Sequence, residues 1–294
     1  MAVSAYTKSW QAWALLSPTL AVIAAFLYYP AVRTVQSSLY RSGVLGIHQT
    51  YVGLANFATL ATSPDYRASI AVTVVFAVVV VAGTLAASFL LAVLIDTVTR
   101  GRAAYLVAAI WPYALPPAVA GTVLLFLLHP TLGVVSGLVE SAGIPFDWFS
   151  NGPLALCVVA LAAIWKQLGY NVVFFLAALN GVPGTLDEAA ALDGVPHWRV
   201  VASVYVPLIS PTLAFLVVMD TIYAFFGSFV FVDLMTQGGP TGSTNLLIFE
   251  LYRDAFRFHD QGLASAESVV LFCIVAGLTY VQLRVSDSYA HYGS

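Results

Sequence analysis

The sequence predicts an all-α integral membrane protein with about six transmembrane helices. Hydrophobic residues make up 60% of the 294 residues and charged residues only 9%, whereas soluble domains contain roughly 45–50% and about 25%. The apolar residues also fall into runs long enough to cross the membrane, since about 30 Å of hydrocarbon takes roughly 20 helical residues. A water-covered surface is therefore excluded, and lipid is the expected surrounding.

Six apolar runs are separated by polar segments and by clusters of Gly and Pro. The predicted membrane domain covers 13–288, between a cytoplasmic N-terminus at 1–12 and a cytoplasmic tail at 289–294. Within the third run, Trp111, Pro112, Pro116 and Pro117 predict an interruption that serves as a gate or as a simple bend. One helix is expected in each of the runs 13–32, 70–95, 104–128, 154–179, 209–234 and 268–283.

Charge gives a weak signal for orientation. The basic residues of the two sides balance, but Arg100 and Arg102 crowd one short turn whereas 129–153 has no Lys or Arg. Because cytoplasmic loops carry an excess of Lys and Arg, both termini are expected in the cytoplasm. The net charge is only −3, and the basic residues form no stripe, so nucleic acid is excluded as a partner.

Several kinds of site are not expected in this chain. The sequence has no Gly-x-x-x-x-Gly-Lys phosphate-binding loop, so we expect it not to bind ATP itself. Its five histidines are dispersed, which argues against a metal site. No nucleophile motif suggests a catalytic site. Cys157 and Cys273 lie inside apolar runs and are read as small hydrophobic residues.

The sequence between the fourth and fifth runs predicts two short helices joined by a sharp corner. Thr185 and Glu188 have the spacing of a capping box, Gly194 can take the left-handed conformation that ends a helix, and Pro196 suits the start of a second helix. From composition alone, a re-entrant or interfacial hairpin is the alternative.

This corner resembles the EAA loop of permease subunits in bacterial binding-protein-dependent ABC importers. The resemblance implies a type I ABC importer permease fold, with a cytoplasmic coupling helix between helices 4 and 5 in an EAA loop at about 183–211. It also implies that the loop docks on an ATPase. The residues that carry the resemblance, and the coupling role, are Glu188, Ala189, Ala190, Asp193 and Gly194, with Pro207 and Pro211 completing the motif.

The resemblance extends to the carbohydrate-uptake subclass, the maltose-type permease family, through Trp165-Lys166-Gln167, Tyr170-Asn171 and Gly238-Gly239-Pro240. It implies a bacterial inner-membrane protein that works with a second homologous permease, two cytoplasmic ATPases that bind ATP and Mg²⁺, and an extracytoplasmic solute-binding protein. The implied solute is glycerol-3-phosphate or a glycerophosphodiester. A disaccharide such as trehalose or maltose is the alternative.

Lys166 lies near the middle of the fourth run, where a charge costs a few kcal/mol or more. Either it attracts an anionic or polyhydroxylated substrate, or it forms an ion pair with Asp220 of the fifth run. Such a pair would also suit the rival interpretation of an ion-coupled secondary transporter; a non-transporting scaffold is a second rival. Tyr170 follows four residues later on the same helical face as Lys166, and Asn171 is one residue further round.

The resemblance adds further residues to this candidate substrate pathway. Lys166, Tyr170, Thr221, Phe225 and Ser228 align with sugar-contacting positions of maltose-type relatives. Ordinary helix packing is the alternative role for each of them. The expected pathway is therefore Lys166, Tyr170, Asn171, Asp220, Thr221, Phe225 and Ser228.

Overall fold

The computed structural model describes residues 9–42 and 49–289. Lys8, most of the predicted N-terminal segment and the last five residues of the predicted tail lie outside the described residues. The chain divides into two compact units, one made of 1–63 and 251–272 and the other of 64–250 and 273–294.

The described residues are mainly helical, with one short pair of strands. The strands are Tyr40–Ser42 and Gln49–Tyr51. Several helices contain π-helical turns, which widen the helix by one residue; these are Ala24–Tyr28, Val201–Tyr205, Tyr223–Gly227, Val232–Thr236 and Arg253–Arg257. The α-helical segments are Ser9–Ile23, Tyr29–Ser37, Ala55–Thr62, Pro64–Asp96, Arg102–Ala114, Pro117–Leu127, Val134–Ser141, Gly152–Leu179, Thr185–Leu192, His197–Val200, Val206–Leu208, Ser210–Ile222, Phe229–Phe231, Leu247–Tyr252 and Gln261–Tyr289.

The prediction of about six membrane helices is confirmed. Within the described part of the chain, five helices are long and apolar enough to cross a membrane, and a bent pair supplies a sixth crossing if it counts as one. In chain order we name them the first to the sixth span: Trp10–Ser37, Pro64–Asp96, the pair Arg102–Ala114 and Pro117–Leu127, Gly152–Leu179, Ser210–Thr236 and Gln261–Ser286.

The third span differs from the single helix predicted over 104–128. Its two halves meet at an angle of 100°. Leu115 and Pro116 at the break have ψ angles of 141° and 136°, which are extended rather than helical. The cause is the Pro116-Pro117 pair, because proline lacks an N–H and forces the residue before it away from helical geometry. The predicted interruption is therefore confirmed, and it divides the third span into two helices.

The first unit is built around a short hairpin. Tyr40–Ser42 pairs antiparallel with Gln49–Tyr51, and the side-chain amide of Asn56 donates to the carbonyls of Ser38 and Tyr40 at 2.8 and 2.9 Å. In the most apolar stretch of the first span, none of the residues is buried. That helix therefore presents its apolar side chains outward.

Two buried carboxyl groups also lie in the first unit. Asp254 and Glu267 are 8% and 2% exposed, and a hydrogen bond joins their side chains. Burial raises the pKa of Asp254, although Arg253 nearby and the bond with Glu267 both act to lower it. Loss of hydration therefore outweighs these two neighbours at Asp254.

The second unit packs its spans closely where glycines allow it. A Cβ on Gly83 of the second span would meet the Ile164 side chain of the fourth span at 2.6 Å. A Cβ on Gly169 of the fourth span would meet the backbone of Ala109 and Ile110 at 2.7 and 2.8 Å. Small residues permit such close approach of membrane helices. Gly169 therefore fixes the fourth span against the first half of the third.

A buried apolar cluster joins the second, fourth and fifth spans to the segment between the fourth and fifth. Its members are large or branched side chains that exclude solvent from the end of the helix bundle. They are Ala92, Ile95, Val172, Phe175, Leu176, Leu179, Val200, Tyr205, Ile209 and Leu216.

Candidate functional site

The EAA loop forms a helix, a corner and a second helix, as the sequence predicts. The first helix, Thr185–Leu192, ends in a Schellman motif: the N–H of Gly194 bonds to the carbonyl of Ala191 at 3.2 Å, and the N–H of Val195 to that of Ala190 at 2.9 Å. Gly194 has φ +67°, which only glycine adopts without strain. The glycine therefore fixes the turn between the two helices.

The predicted capping box at Thr185 and Glu188 is wrong. The helix begins at Thr185, so the capping position falls on Gly184, and no side chain caps it. The reason is the preceding turn, in which the N–H of Leu186 already bonds to the carbonyl of Pro183 at 3.1 Å. Glu188 is consequently exposed rather than folded back onto the helix start.

The two faces of the EAA loop differ in what they contact. Ala190 and Val195 pack against the buried cluster described above, in which Val200 and Tyr205 are members. On the other face, Leu192 is 89% exposed and Trp198 is 66% exposed. Large apolar residues exposed outside the spans mark an interaction surface. Exposed acidic residues border it, namely Glu188 and Asp193.

Lys166 does not pair with Asp220. Its Nζ donates to the backbone carbonyl of Tyr113 at 2.7 Å and lies 4.8 Å from the centre of the Tyr113 ring. The side chain is almost completely buried. Of the two roles that the sequence left open for Lys166, the ion pair with Asp220 is therefore absent. The close packing at Gly169 sets a register between antiparallel helices that brings Lys166 level with Tyr113.

Asp220 is fully buried between the fourth and fifth spans. Its carboxylate accepts hydrogen bonds from Gln167 Nε2 at 3.2 Å and from Asn171 Nδ2 at 2.5 Å. The hydroxyl of Tyr223, one turn further along the fifth span, donates to the carbonyl of Ala163 at 3.2 Å. These bonds hold the two spans together through polar groups, as is common between membrane helices.

Tyr170 belongs to a row of aromatic rings contributed by the third, fourth and fifth spans. Its ring centre lies 5.5 Å from that of Tyr113 and 4.8 Å from that of Phe174, which in turn lies 5.3 Å from Phe215. Tyr113 and Phe215 are 44% and 43% exposed. We call Tyr113, Tyr170, Phe174 and Phe215 the aromatic row. It offers apolar ring faces with hydroxyl groups at one end.

The other predicted pathway residues lie elsewhere. Thr221 and Phe225 line a cavity of about 390 Å³ whose walls come from the second, fifth and sixth spans. Gln282 of the sixth span also lines it and donates to the Thr221 hydroxyl at 2.8 Å. Ser228 is fully buried and bonds back to the carbonyl of Tyr223 at 3.4 Å. The predicted pathway residues therefore lie at several separate positions in the second unit and do not line one common cavity.

Three polar or aromatic residues at these places were not predicted as site residues. The carbonyl of Tyr113 accepts a hydrogen bond from Lys166, the amide of Gln167 donates to Asp220, and the amide of Gln282 donates to Thr221. Gln282 carried a usable signal, because a single amide inside an apolar run demands a hydrogen-bonding partner. Tyr113 carried none, since its contribution is a backbone carbonyl.

Comparison with known proteins agrees with the expected family. Residues 84–286 match the family described as binding-protein-dependent transport system inner membrane component. The sn-glycerol-3-phosphate transport system permease protein UgpA of Brucella abortus is 39% identical over 278 residues, 95% of each chain. The protein of the same name from Yersinia enterocolitica is 38% identical over 287 residues, 98% of this chain and 97% of that protein.

Two solved structures share the fold. One is a bacterial ABC transporter involved in the import of the acidic polysaccharide alginate, with TM-score 0.82, 21% identity and coverage of 95% of this chain and 96% of that one. The other is the bacterial alginate ABC transporter in complex with an alginate pentasaccharide-bound periplasmic protein, with TM-score 0.84, 21% identity and coverage of 97% and 96%. The predicted permease fold is thereby confirmed. The chain belongs to the inner membrane components of binding-protein-dependent transport systems, and it is a multi-pass ABC importer permease.

Proposed function

We propose that this permease carries glycerol-3-phosphate or a glycerophosphodiester into the cytoplasm. Near-full-length similarity to permeases named for sn-glycerol-3-phosphate supports this substrate class. A solute-binding protein on the outer side would deliver the substrate, and the alginate transporter, solved with its periplasmic protein bound, supports such a partner. A second homologous permease and two cytoplasmic ATPases, which bind ATP and Mg²⁺, complete the complex.

The observation that carries the coupling mechanism is the two-faced EAA loop. Its exposed face, with Leu192 and Trp198, suits docking on an ATPase. Its inner face packs on the buried cluster, whose members include Ile95 and Leu179 near the ends of the second and fourth spans. A close-packed contact of this kind transmits a push with little deformation. ATP-driven closure of the ATPases would therefore move these spans, so that the substrate pathway opens in turn to the outside and to the cytoplasm.

The proposed orientation places the EAA loop and both termini in the cytoplasm. The short turn between the second and third spans lies on the same side as the loop; it contains Arg100, and Arg102 follows at the first residue of the third span. Arg102 also bonds to Asp96 at 2.8 Å. Basic residues in a short loop favour the cytoplasmic side.

The substrate pathway is proposed to run along the aromatic row and its neighbours. Tyr170 would contact the substrate directly, with Lys166 beside it. Thr221 and Phe225 line the separate cavity described above, which could open to the pathway as the spans move. From within the protein, the remaining predicted residues would support the fourth and fifth spans, namely Asn171, Asp220 and Ser228.

Two substitutions in the EAA loop test the coupling role. Glu188→Lys reverses an exposed charge on the docking face, and Gly194→Asp strains the backbone of the corner while adding charge. Both should reduce uptake of radiolabelled glycerol-3-phosphate by at least tenfold in cells, with normal amounts of protein in the membrane.

Matched controls come from the loop between the third and fourth spans. Glu140 is exposed like Glu188, and Gly143 has φ +82° with free space around its Cα, as at Gly194. Glu140→Lys and Gly143→Asp should therefore leave uptake close to that of the unaltered protein. Normal uptake by both EAA-loop variants would refute the coupling role.

A further inference from the structure

The break in the third span removes two hydrogen-bond donors at known positions. In an α-helix the carbonyl of each residue accepts from the N–H four residues later. The carbonyls of Pro112 and Tyr113 would thus accept from Pro116 and Pro117, neither of which has an N–H. The carbonyl of Pro112 accepts instead from the N–H of Leu115, three residues later, at 3.3 Å. For Tyr113, no backbone donor takes the place of Pro117 among the described residues.

Lys166 supplies the missing donor from a neighbouring helix. Its Nζ lies 2.7 Å from the Tyr113 carbonyl oxygen, and the side chain is only 6% exposed. A cation at the C-terminal end of a helix also faces the negative end of the helix dipole. The Tyr113 ring lies beneath the ammonium group at 4.8 Å, which adds a cation–π contact.

We propose that Lys166 is a positioning residue, which holds the first half of the third span in its bent arrangement by replacing the N–H that Pro117 lacks. Its ammonium group then acts on the transport pathway through the shape of the third span and not as the binding site for the substrate's charge. The bent span carries Tyr113, which is one end of the aromatic row, so the position of that ring depends on the bond between Lys166 and the Tyr113 carbonyl. The consequence for transport rests on the proposed function, whereas the structural role does not.

A distance measurement across the break tests the proposal. Spin labels at Ala104→Cys and Phe126→Cys, in a chain with Cys157→Ala and Cys273→Ala, report on the two halves. At 1.5 Å rise per residue, a straight helix would separate these Cα atoms by about 33 Å, and a 100° bend by about 20 Å. The full-length chain in lipid nanodiscs should show one narrow distance distribution near the shorter value.

Variants at position 166 separate the possible roles. Lys166→Met keeps the length of the side chain without a donor, and it should broaden the distribution and shift it toward the longer distance. Lys166→Arg retains a donor and should restore the shorter distance. Gln167→Met removes the donor of the next residue, which serves Asp220 instead, and it should leave the distance unchanged.

Should Lys166→Met fail to fold, a triple variant with Pro116→Ala and Pro117→Ala keeps the proposal testable. It restores both backbone donors, so it should fold and give a single distance near 33 Å. If the triple variant also fails to fold, the restored N–H groups do not replace Lys166, and the proposal is overturned.

Uptake kinetics distinguish positioning from substrate binding. A positioning role predicts that Lys166→Met lowers the maximal rate of glycerol-3-phosphate uptake several-fold with little change in KM. An unchanged distance distribution, or a raised KM at an unchanged distance, would overturn the proposal. If the unaltered protein transports no glycerol-3-phosphate, the proposed function fails, yet the distance measurement still decides the role of Lys166.

Discussion

At the scale of single residues, Asp220 shows how a carboxylate is accommodated in the membrane without an ion pair. Two side-chain amides of the fourth span, Gln167 and Asn171, donate to its oxygens. Hydrogen bonds to the charged form reduce the cost of burying it. The suggested pairing with Lys166, which would have suited an ion-coupled transporter, is replaced by two independent interactions on the fourth span.

Asp220→Asn should destabilise the protein by about 1–3 kcal/mol, because an amide has one acceptor oxygen where the carboxylate has two, and a buried donor is left unpaired. The midpoint of thermal unfolding of the purified chain in nanodiscs measures the effect. Asp65→Asn, at an exposed residue, serves as the control, with a change of about 0.5 kcal/mol or less. Equal midpoints for both variants would show that the two amide bonds do not stabilise the fold.

Residues differ in how far the sequence revealed their roles. The left-handed conformation of Gly194 was predictable, because a glycine after a run of helix formers is a strong signal for a helix end. The partner of Lys166 was not, because it is a backbone carbonyl whose availability depends on a proline break in another helix. Thr185 was misjudged because a preceding turn had already satisfied the helix start.

At the scale of elements, the EAA loop and the third span carry the proposed mechanism. The loop joins two helices rigidly through a Schellman corner and a shared apolar cluster. The third span is broken where Pro116 and Pro117 follow each other. Both features were foreseen from Gly and Pro positions, whereas the 100° angle of the break depends on tertiary packing that a single sequence does not encode locally.

Leu192 gives a direct test of where the EAA loop docks. Leu192→Cys, in the chain lacking Cys157 and Cys273, should be cross-linked to an ATPase subunit by a reagent that carries a maleimide for the thiol and a photoreactive group for the partner, because the native side chain is 89% exposed on the proposed docking face. Leu132→Cys is a matched control, since Leu132 is 75% exposed in the loop expected on the opposite side. Labelling of the Leu192→Cys variant by an impermeant thiol reagent added outside intact cells would contradict the proposed orientation.

At the scale of the whole molecule, composition alone indicated a membrane protein, and the hydrophobic runs located its spans, although the second and sixth begin earlier than predicted, at Pro64 and Gln261. The separation of the predicted pathway residues within the second unit could not be predicted from the sequence. Thr221 and Phe225 were expected beside Lys166, yet they line a different cavity. Helical periodicity states which residues share one face of a helix, but it does not state which neighbour that face meets.

Substrate specificity and energy coupling also belong to this scale, because both depend on partners outside the chain. An importer needs ATP hydrolysis that rises when the loaded solute-binding protein docks, whereas a secondary transporter needs only an ion gradient. Within the importer, glycerol-3-phosphate and trehalose distinguish the preferred substrate class from the disaccharide alternative.

The most direct test of ATP-driven import is therefore ATP hydrolysis and solute uptake by the complete complex in proteoliposomes. With the solute-binding protein present, glycerol-3-phosphate or glycerophosphocholine should stimulate hydrolysis several-fold and should accumulate inside, and trehalose should do neither. Removing the ATPase subunits should abolish uptake. Uptake that persists without those subunits, driven by an ion gradient, would contradict the assignment of this chain to an ATP-driven importer.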